Sequence, residues 1–363
     1  MDNLQWLLEN GGPAIQLRLS ALNNLNAEDT ENAVSELLSI DGVRAIFDYY
    51  DGFKTTDRDL KTFEHLIHYY KETCMETFFP YIMDFGFKAG IAVFDEKMKS
   101  VADMFKYAYS MSHEQSYYNI SLMFHRYFLT TSYLFPELEE SMERRLDALH
   151  TAAKEKSLDI FQDEAGLPKK PPIWENYKVM KDDTNPWKIS AKKPLPMWFD
   201  IWSLAYYAEH CTDTEKLKKI NDILAYILDP DFQKMLDDDC DILLYVKERR
   251  IYHVSGFGLI LPLYEIGKCI SRTTSGGMLD TLGFMSCSEM VRQSKWFVNT
   301  LYYFEQFKTE KGTYLFPKEY LHKKYIDKAF LSERNMTLKR NEREIIKREV
   351  VSTMKMAEIY GRI

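Results

Sequence analysis

The chain lacks the short motifs that announce the commonest chemistries. It has no G-x-x-x-x-G-K-[ST] phosphate loop, no G-x-G-x-x-G after a strand, no G-x-S-x-G elbow and no H-E-x-x-H pair. Nucleotide, dinucleotide, α/β-hydrolase and zinc-protease readings therefore have no anchor. Cysteine is sparse: Cys74, Cys211, Cys240, Cys269 and Cys287 are odd in number, scattered, and form no C-x-x-C pair. This usage fits free thiols in a reducing compartment better than a disulfide framework. No apolar run approaches the roughly 18 residues of a membrane span, and the opening MDNLQWLLEN has no signal-peptide pattern. Excess positive charge is missing too. A net charge of -8 argues against tracking a phosphate backbone, so nucleic acid is not an expected partner. A cytoplasmic location is the expectation that follows.

What the sequence does have is an ordinary globular balance with a surplus of rings. Of 363 residues, 45% are hydrophobic and 28% charged, and the aromatic share of 14% includes 24 Tyr and 22 Phe. Such side chains fill thick helix interfaces or line an apolar cavity. A helix entered at Asp2 or Asn3 is interrupted by Gly11-Gly12 and restarted by Pro13. Leu60, Phe63, Ile67, Tyr70, Cys74 and Phe78 recur at steps of three or four, the spacing of one buried helix face. Between Tyr117 and Phe135 apolar residues occupy every face, which predicts a central helix.

Pro168, Pro171, Pro172, Pro186, Pro194 and Pro196 then crowd one stretch that cannot be a regular helix. Trp174, Trp187 and Trp198 in the same stretch predict a strap packed on the body. The organisation expected is an N-terminal helical half over 1–165, the strap over 166–198, and a C-terminal helical half over 199–363, within one continuous domain. In the second half, Ile201 to Ala208 and Leu217 to Ile227 give two amphipathic helices around a turn at Thr212 to Thr214. Ile242 to Val246 and Ile251 to Val254, joined by Lys247-Glu248-Arg249-Arg250, read as one β-hairpin. Another helix is expected from about Met290 to Phe307. The fold class is all-α: an α/α toroid or helical-repeat superhelix with one small β-hairpin.

Three stretches, WLLENGGPAIQLRL, DFQKMLDDDCD with the following SGFGLILPLYE, and GTYLFPKEYLHKKY through EVVSTMKM, resemble bacterial proteins similar to prenyltransferases and squalene cyclases. The resemblance implies an α/α toroid of alternating inner and outer helices around a cavity. If the chain is an enzyme, it implies a terpenoid cyclase- or prenyltransferase-like one. The cyclases' D-x-D-D acid is not reproduced by Asp237 to Asp241, which read D-D-D-C-D, and their repeated Q-x-x-x-G-x-W signature is absent. Asp238 and Cys240 match the prenyltransferase Asp-x-Cys zinc pair, with His253 or His322 as the third ligand required.

Asp237, Asp238 and Asp241 also satisfy the D-D-x-x-D spacing that binds a diphosphate through magnesium, but its partner motif is incomplete because Ile345 stands between Asn341 and Glu349. An acidic loop before the hairpin is the simpler reading. His65 and His68 read as edge histidines of a helix, His210-Cys211 as a charge at a helix end beside a small thiol, and Lys339 to Arg348 as a solvated helix face. No metal site and no cofactor is expected. Trp198, Trp202 and Tyr206 fall at i, i+4 and i+8, one side of a helix, and form either core or the aromatic wall of a cavity. Gly256 and Gly258 after the hairpin either let it turn back onto a helix or set the turn at the rim of such a cavity, which would bring His253 and Tyr252, with Asp238 or Asp241, near Trp198 and Trp202. His253, Asp238 and Asp241 are then the candidate catalytic residues, and Trp198, Trp202, Tyr206 and Tyr252 the candidate ligand-binding ones. The functional expectation is a toroid-like protein binding an apolar small molecule of isoprenoid type in a central cavity. The rival is a non-enzymatic helical-repeat scaffold for a protein partner.

Overall fold

A computed structural model describes residues 3–22, 26–51, 79, 82–110, 124–156, 161–175, 177–179, 196, 198–235, 242–246, 250–254, 263–264, 266, 278–321 and 344–361. The protein is mostly helical with a small β element, the class expected from periodicity. Helices α1 (Asn3–Asn10) and α2 (Pro13–Ala21) break at the glycine pair, and Pro13 opens the second. The break is tight: the Gly11 amide bonds the Leu7 carbonyl at 2.7 Å, and a Cβ on Gly11 would lie 2.6 Å from that same oxygen. Helix α3 (Ala27–Ser39) is capped by Asn26, whose side chain accepts from the Asp29 amide, and Glu28 and Asp29 oppose the positive end of its dipole. Helices α4 (Asp41–Asp51) and α5 (Ala92–Ser110) follow. Residues 124–130 are helical and, apart from Thr130, buried, as the all-round apolar pattern predicts for a central segment.

Helix α6 (Pro136–Glu155) starts at a proline, α7 (Trp198–His210) carries the aromatic row, and α8 (Thr214–Ile227) is capped by Asp213. The relative direction of α6 and α8 is fixed by their ion pairs. Lys216 meets Glu143, Lys219 meets Asp147 at 2.6 Å, and His150 meets Asp222 at 3.0 Å. Both sequences advance together along this ladder, so α6 and α8 run parallel. The short link through Cys211 to Asp213 reverses α7 against α8. Helices α6 and α8 pack directly on each other, and α7 packs on α8.

Helix α9 (Pro230–Met235) begins at the proline that closes α8. Its Gln233 is buried and holds two chain segments at once, donating to the Ile227 carbonyl and accepting from the Leu263 amide, each at 2.7 Å. Strands β2 (Ile242–Val246) and β3 (Ile251–Val254) form the expected antiparallel hairpin, with Leu243 opposite Val254 and Val246 opposite Ile251. A third strand, β1 (Lys178–Val179), pairs in parallel with β2. It belongs to the proline-rich strap, so part of that segment is tied to the hairpin. Val179, Leu243 and Tyr252 make a small core there, with Trp174 and Tyr177 packed on it.

Helices α10 (Met278–Met285), α11 (Glu289–Arg292) and α12 (Lys295–Glu305) come next. The single helix expected from Met290 to Phe307 is two, because Ser294 accepts from the Phe297 amide and restarts the chain as a new N-cap. The last described helix, α13 (Glu344–Tyr360), packs against α1, and Glu358 closes on Arg18 of α2 through two contacts of 2.8 Å. On its other side Ser352 and Thr353 accept from the amides of Phe316 and Tyr314, so a helix satisfies the backbone of a neighbouring loop.

Among the described residues, two large hydrophobic cores stand beside that small one. One gathers Phe47, Phe79, Phe94, Phe105, Phe124 and Phe128. The other gathers Leu146, Leu149, Leu204, Ile220, Ile223, Phe304 and Met354. Helix α2 divides them, giving Ala14 and Leu17 to the first core and Ile15 and Leu19 to the second. Helix α6 does the same, with Leu138 and Met142 on one side and Leu146 and Leu149 on the other.

Candidate functional site

Where the cores meet at α6 and α7, the interior turns polar. Arg145 stands in the apolar stripe of α6, and its Nε and Nη2 donate to both carboxylate oxygens of Asp200 on α7, at 2.8 and 2.6 Å. Their side chains are 2% and 3% exposed, so this pair is shielded from solvent. A two-point geometry is the form in which a buried ion pair recovers most of its desolvation cost.

The pair is one wall of a cavity of about 10 Å³, the size of a single water. His125, Ser203 and Tyr207 supply the other polar atoms, and Met142, Leu146, Leu149 and Leu204 the apolar surface. Since Met142 belongs to the first core and the three leucines to the second, the cavity lies on the seam between them. His125 Nε2 is 2.8 Å from Ser141 Oγ. Full burial, helped by the Arg145 charge, pushes the imidazole pKa down to about 3, so the ring is neutral. The Tyr207 hydroxyl is pushed the other way, above its ordinary value, by burial and by Glu143 and Glu139, and it keeps its proton.

Two hydroxyls in this wall are unsatisfied. The Ser203 Oγ and Tyr207 Oη atoms are inaccessible to solvent and have no hydrogen-bond partner among the described residues. A buried hydroxyl without a partner costs about 1–3 kcal/mol. Both residues border the same cavity.

The residues singled out from the sequence fall differently. Trp202 is buried, lies against Phe284 and carries the Arg126 guanidinium over its ring at 4.3 Å. Tyr206 is half-buried and stacks on His210 with centroids 4.2 Å apart. Their row runs beside the cavity; the stripe that lines it, Asp200, Ser203, Leu204 and Tyr207, is one step round the same helix. Tyr252 is buried in the small core of the sheet, with its hydroxyl donating to the Pro168 carbonyl and its ring 5.1 Å from Tyr245. His253 occupies β3 opposite Leu244. Asp238 and Asp241 lie outside the described residues, as do the side chains of Trp198 and His253, the helix expected around Leu60 to Phe78, and the His65–His68 pair. Among the described residues no helix is long and apolar enough to cross a membrane, and no three His, Cys, Asp or Glu side chains gather as a metal site.

Arg145, Asp200, His125 and Ser203 were not among the sequence-derived candidates. A signal existed for two of them. Arg145 falls at i+3 from Met142 and i−4 from Leu149, a cation on the apolar stripe of an amphipathic helix, and Asp200 is an acid enclosed by aromatics in W-F-D-I-W. Each requires the other in order to be buried. No family model, curated protein or solved structure matches the chain.

Proposed function

We propose that this protein binds a small, largely apolar molecule at the seam between its two cores. The observation that carries the reading is the cavity in which two unpartnered buried hydroxyls, Ser203 and Tyr207, meet an apolar wall beside the Arg145–Asp200 pair. Met142, Leu146, Leu149 and Leu204 supply its apolar surface, and because the void has the size of one water, a larger guest requires α6 and α7 to part along the seam. The toroid reading is supported by the parallel packing of α6 on α8 and by the contact of α13 with α1. On the resemblance to prenyltransferase- and squalene-cyclase-like proteins, the guest would be an isoprenoid.

The chemistry favours binding over proton transfer at this site. His125 is held neutral far below physiological pH, Tyr207 stays protonated, and Arg145 and Asp200 occupy one another. General acid–base catalysis wants a group poised near the working pH. The test is native mass spectrometry of protein purified from its own host, with an organic extract of the same sample analysed in parallel. A co-purifying apolar molecule supports the reading. A bare polypeptide mass with an empty extract overturns it.

The rival, a scaffold for a protein partner, draws on one observation. Val298 and Tyr302 stand at i and i+4 on α12 with exposures of 55% and 80%, an apolar step on its exposed face. Both are away from the cavity, so replacing Tyr302 with Ser leaves ligand retention unchanged under the binding reading.

A further inference from the structure

Helix α12 has one packed face and one open face. Trp296, Phe297, Thr300 and Phe304 are buried, whereas Val298 and Tyr302 stand in solvent. At 3.6 residues per turn, Lys295, Val298, Tyr302 and Glu305 fall within an arc of about 80°, so the apolar step has a cation at one end and an anion at the other. Both charges oppose the helix dipole: Lys295 is in the first turn, where an acid is favoured, and Glu305 in the last, where a base is favoured. Lys295 is exposed and has no ion-pair partner among the described residues. The Glu305 carboxylate is fixed in place, since the hydroxyls of Tyr314 and Tyr360 both donate to its Oε1 and Lys308 Nζ lies 3.6 Å from its Oε2.

We infer that two copies of this chain pair through α12, antiparallel about a two-fold axis at the level of Thr300. Positions 295 and 305 are equally far from 300 along the helix, as are 298 and 302, and each pair is symmetric about the centre of the open arc. The axis therefore sets Val298 against the partner's Tyr302 and Lys295 against the partner's Glu305, the same patch serving both copies. Charge selects a second copy as the occupant. A partner of one sign would satisfy one end of the face and repel the other, whereas the antiparallel copy matches both ends and offsets the dipole mismatch at each. With a net charge of -8, two chains repel over much of their surface, and this face, with one cation and one anion, is neutral. Tyr302 and Val298 of two copies withdraw on the order of 500 Å² from water, about a third of a standard interface, so the dimer is weak and depends on concentration. Neither residue borders the cavity, and the inference stands apart from the small-molecule reading.

Sedimentation velocity of the full chain from about 1 to about 200 µM tests the pairing, and the average mass is expected to move from one chain toward two across that range. Tyr302→Ser removes the central contact and should raise the dissociation constant about tenfold or more. Lys295→Glu sets an acid against the partner's Glu305 and should raise it about three- to tenfold, while the fold is not weakened, because an acid suits a first helical turn. A zero-length carbodiimide, which joins only a lysine and a carboxylate in contact, is then applied to a mixture of isotope-labelled and unlabelled chains. The expected product is a Lys295–Glu305 link carrying both labels; within one helix the two are ten residues, about 15 Å, apart and cannot be joined. A single-chain mass at every concentration overturns the inference, as does undiminished pairing in Tyr302→Ser shown by thermal melting to be folded. If that variant does not fold, Lys295→Glu and the cross-link decide. A dimer that lacks the mixed-label link overturns the antiparallel arrangement.

Discussion

Removing the Asp200 carboxylate is the sharpest probe of how the two cores are joined. In Asp200→Asn the shape is kept while the Arg145 guanidinium loses its charge partner inside the protein, with both side chains almost wholly shielded from solvent. Breaking such a pair from one side typically costs about 3–5 kcal/mol. Arg145→Met should cost a similar amount, because the carboxylate loses its two-point charge partner. The double variant Arg145→Met, Asp200→Leu removes both charges together and fills the space with apolar atoms next to Leu146, Leu149 and Leu204, so it should lie within about 1 kcal/mol of the natural protein. Urea unfolding followed by far-UV circular dichroism measures all three, with the slope checked for constancy. The coupling between the two sites should then be several kcal/mol. A cost below about 1 kcal/mol for Asp200→Asn would show that water reaches the pair and would refute its description as a buried junction.

Other consequences are open to equally direct measurement. His125 has its pKa depressed from 6.5 to about 3 in the folded state. The unfolded chain therefore binds the extra proton first as pH falls below 6.5, and stability declines by about 1.4 kcal/mol per unit between roughly pH 6 and pH 4 on this account; His125→Gln should lose that slope, and an unchanged slope counts against the neutral imidazole. Ser352→Ala deprives the buried Phe316 amide of its acceptor, and a destabilisation of about 1–3 kcal/mol is expected in thermal or urea melts, against a few tenths for the exposed Ser39→Ala. Gly11→Ala places a methyl group against the Leu7 carbonyl and the Ile15 side chain, so it should lower the melting temperature, and a neutral result would contradict the tight α1–α2 turn.

The helical architecture was legible because its signals are local. Proline at a first helical position, an Asp or Asn cap, and apolar residues at steps of three and four act within one element, and they marked α1, α2, α7 and α8 closely. The hairpin was equally plain, since β-branched and aromatic residues flanked a charged turn. Two elements escaped for stated reasons. Ser294 sits inside an apolar periodicity that continues across it, so the cap that splits α11 from α12 was masked by the pattern on either side. Strand β1 has two residues, too few for any period, and exists only because β2 offers an open edge.

The site was less legible, and the cause is the non-local pairing of its charges. Fifty-five residues separate Arg145 from Asp200, and neither is meaningful without the other. Trp198, Trp202 and Tyr206 are the conspicuous residues of α7 in the sequence, whereas the residues of α7 that line the cavity are Asp200, Ser203, Leu204 and Tyr207. Aromatics dominate a helical wheel by size, whereas Asp200, Ser203 and Tyr207 form a stripe whose importance comes from what lies opposite. That opposite wall is α6, whose single buried cation converts Asp200 from a misplaced acid into a paired one. It also leaves Ser203 and Tyr207 as the groups in the wall whose hydrogen bonds are still to be made. Charge matched within the wall and hydroxyls unmatched beside it belong to one junction, and neither half of that description exists before the two helices are brought together.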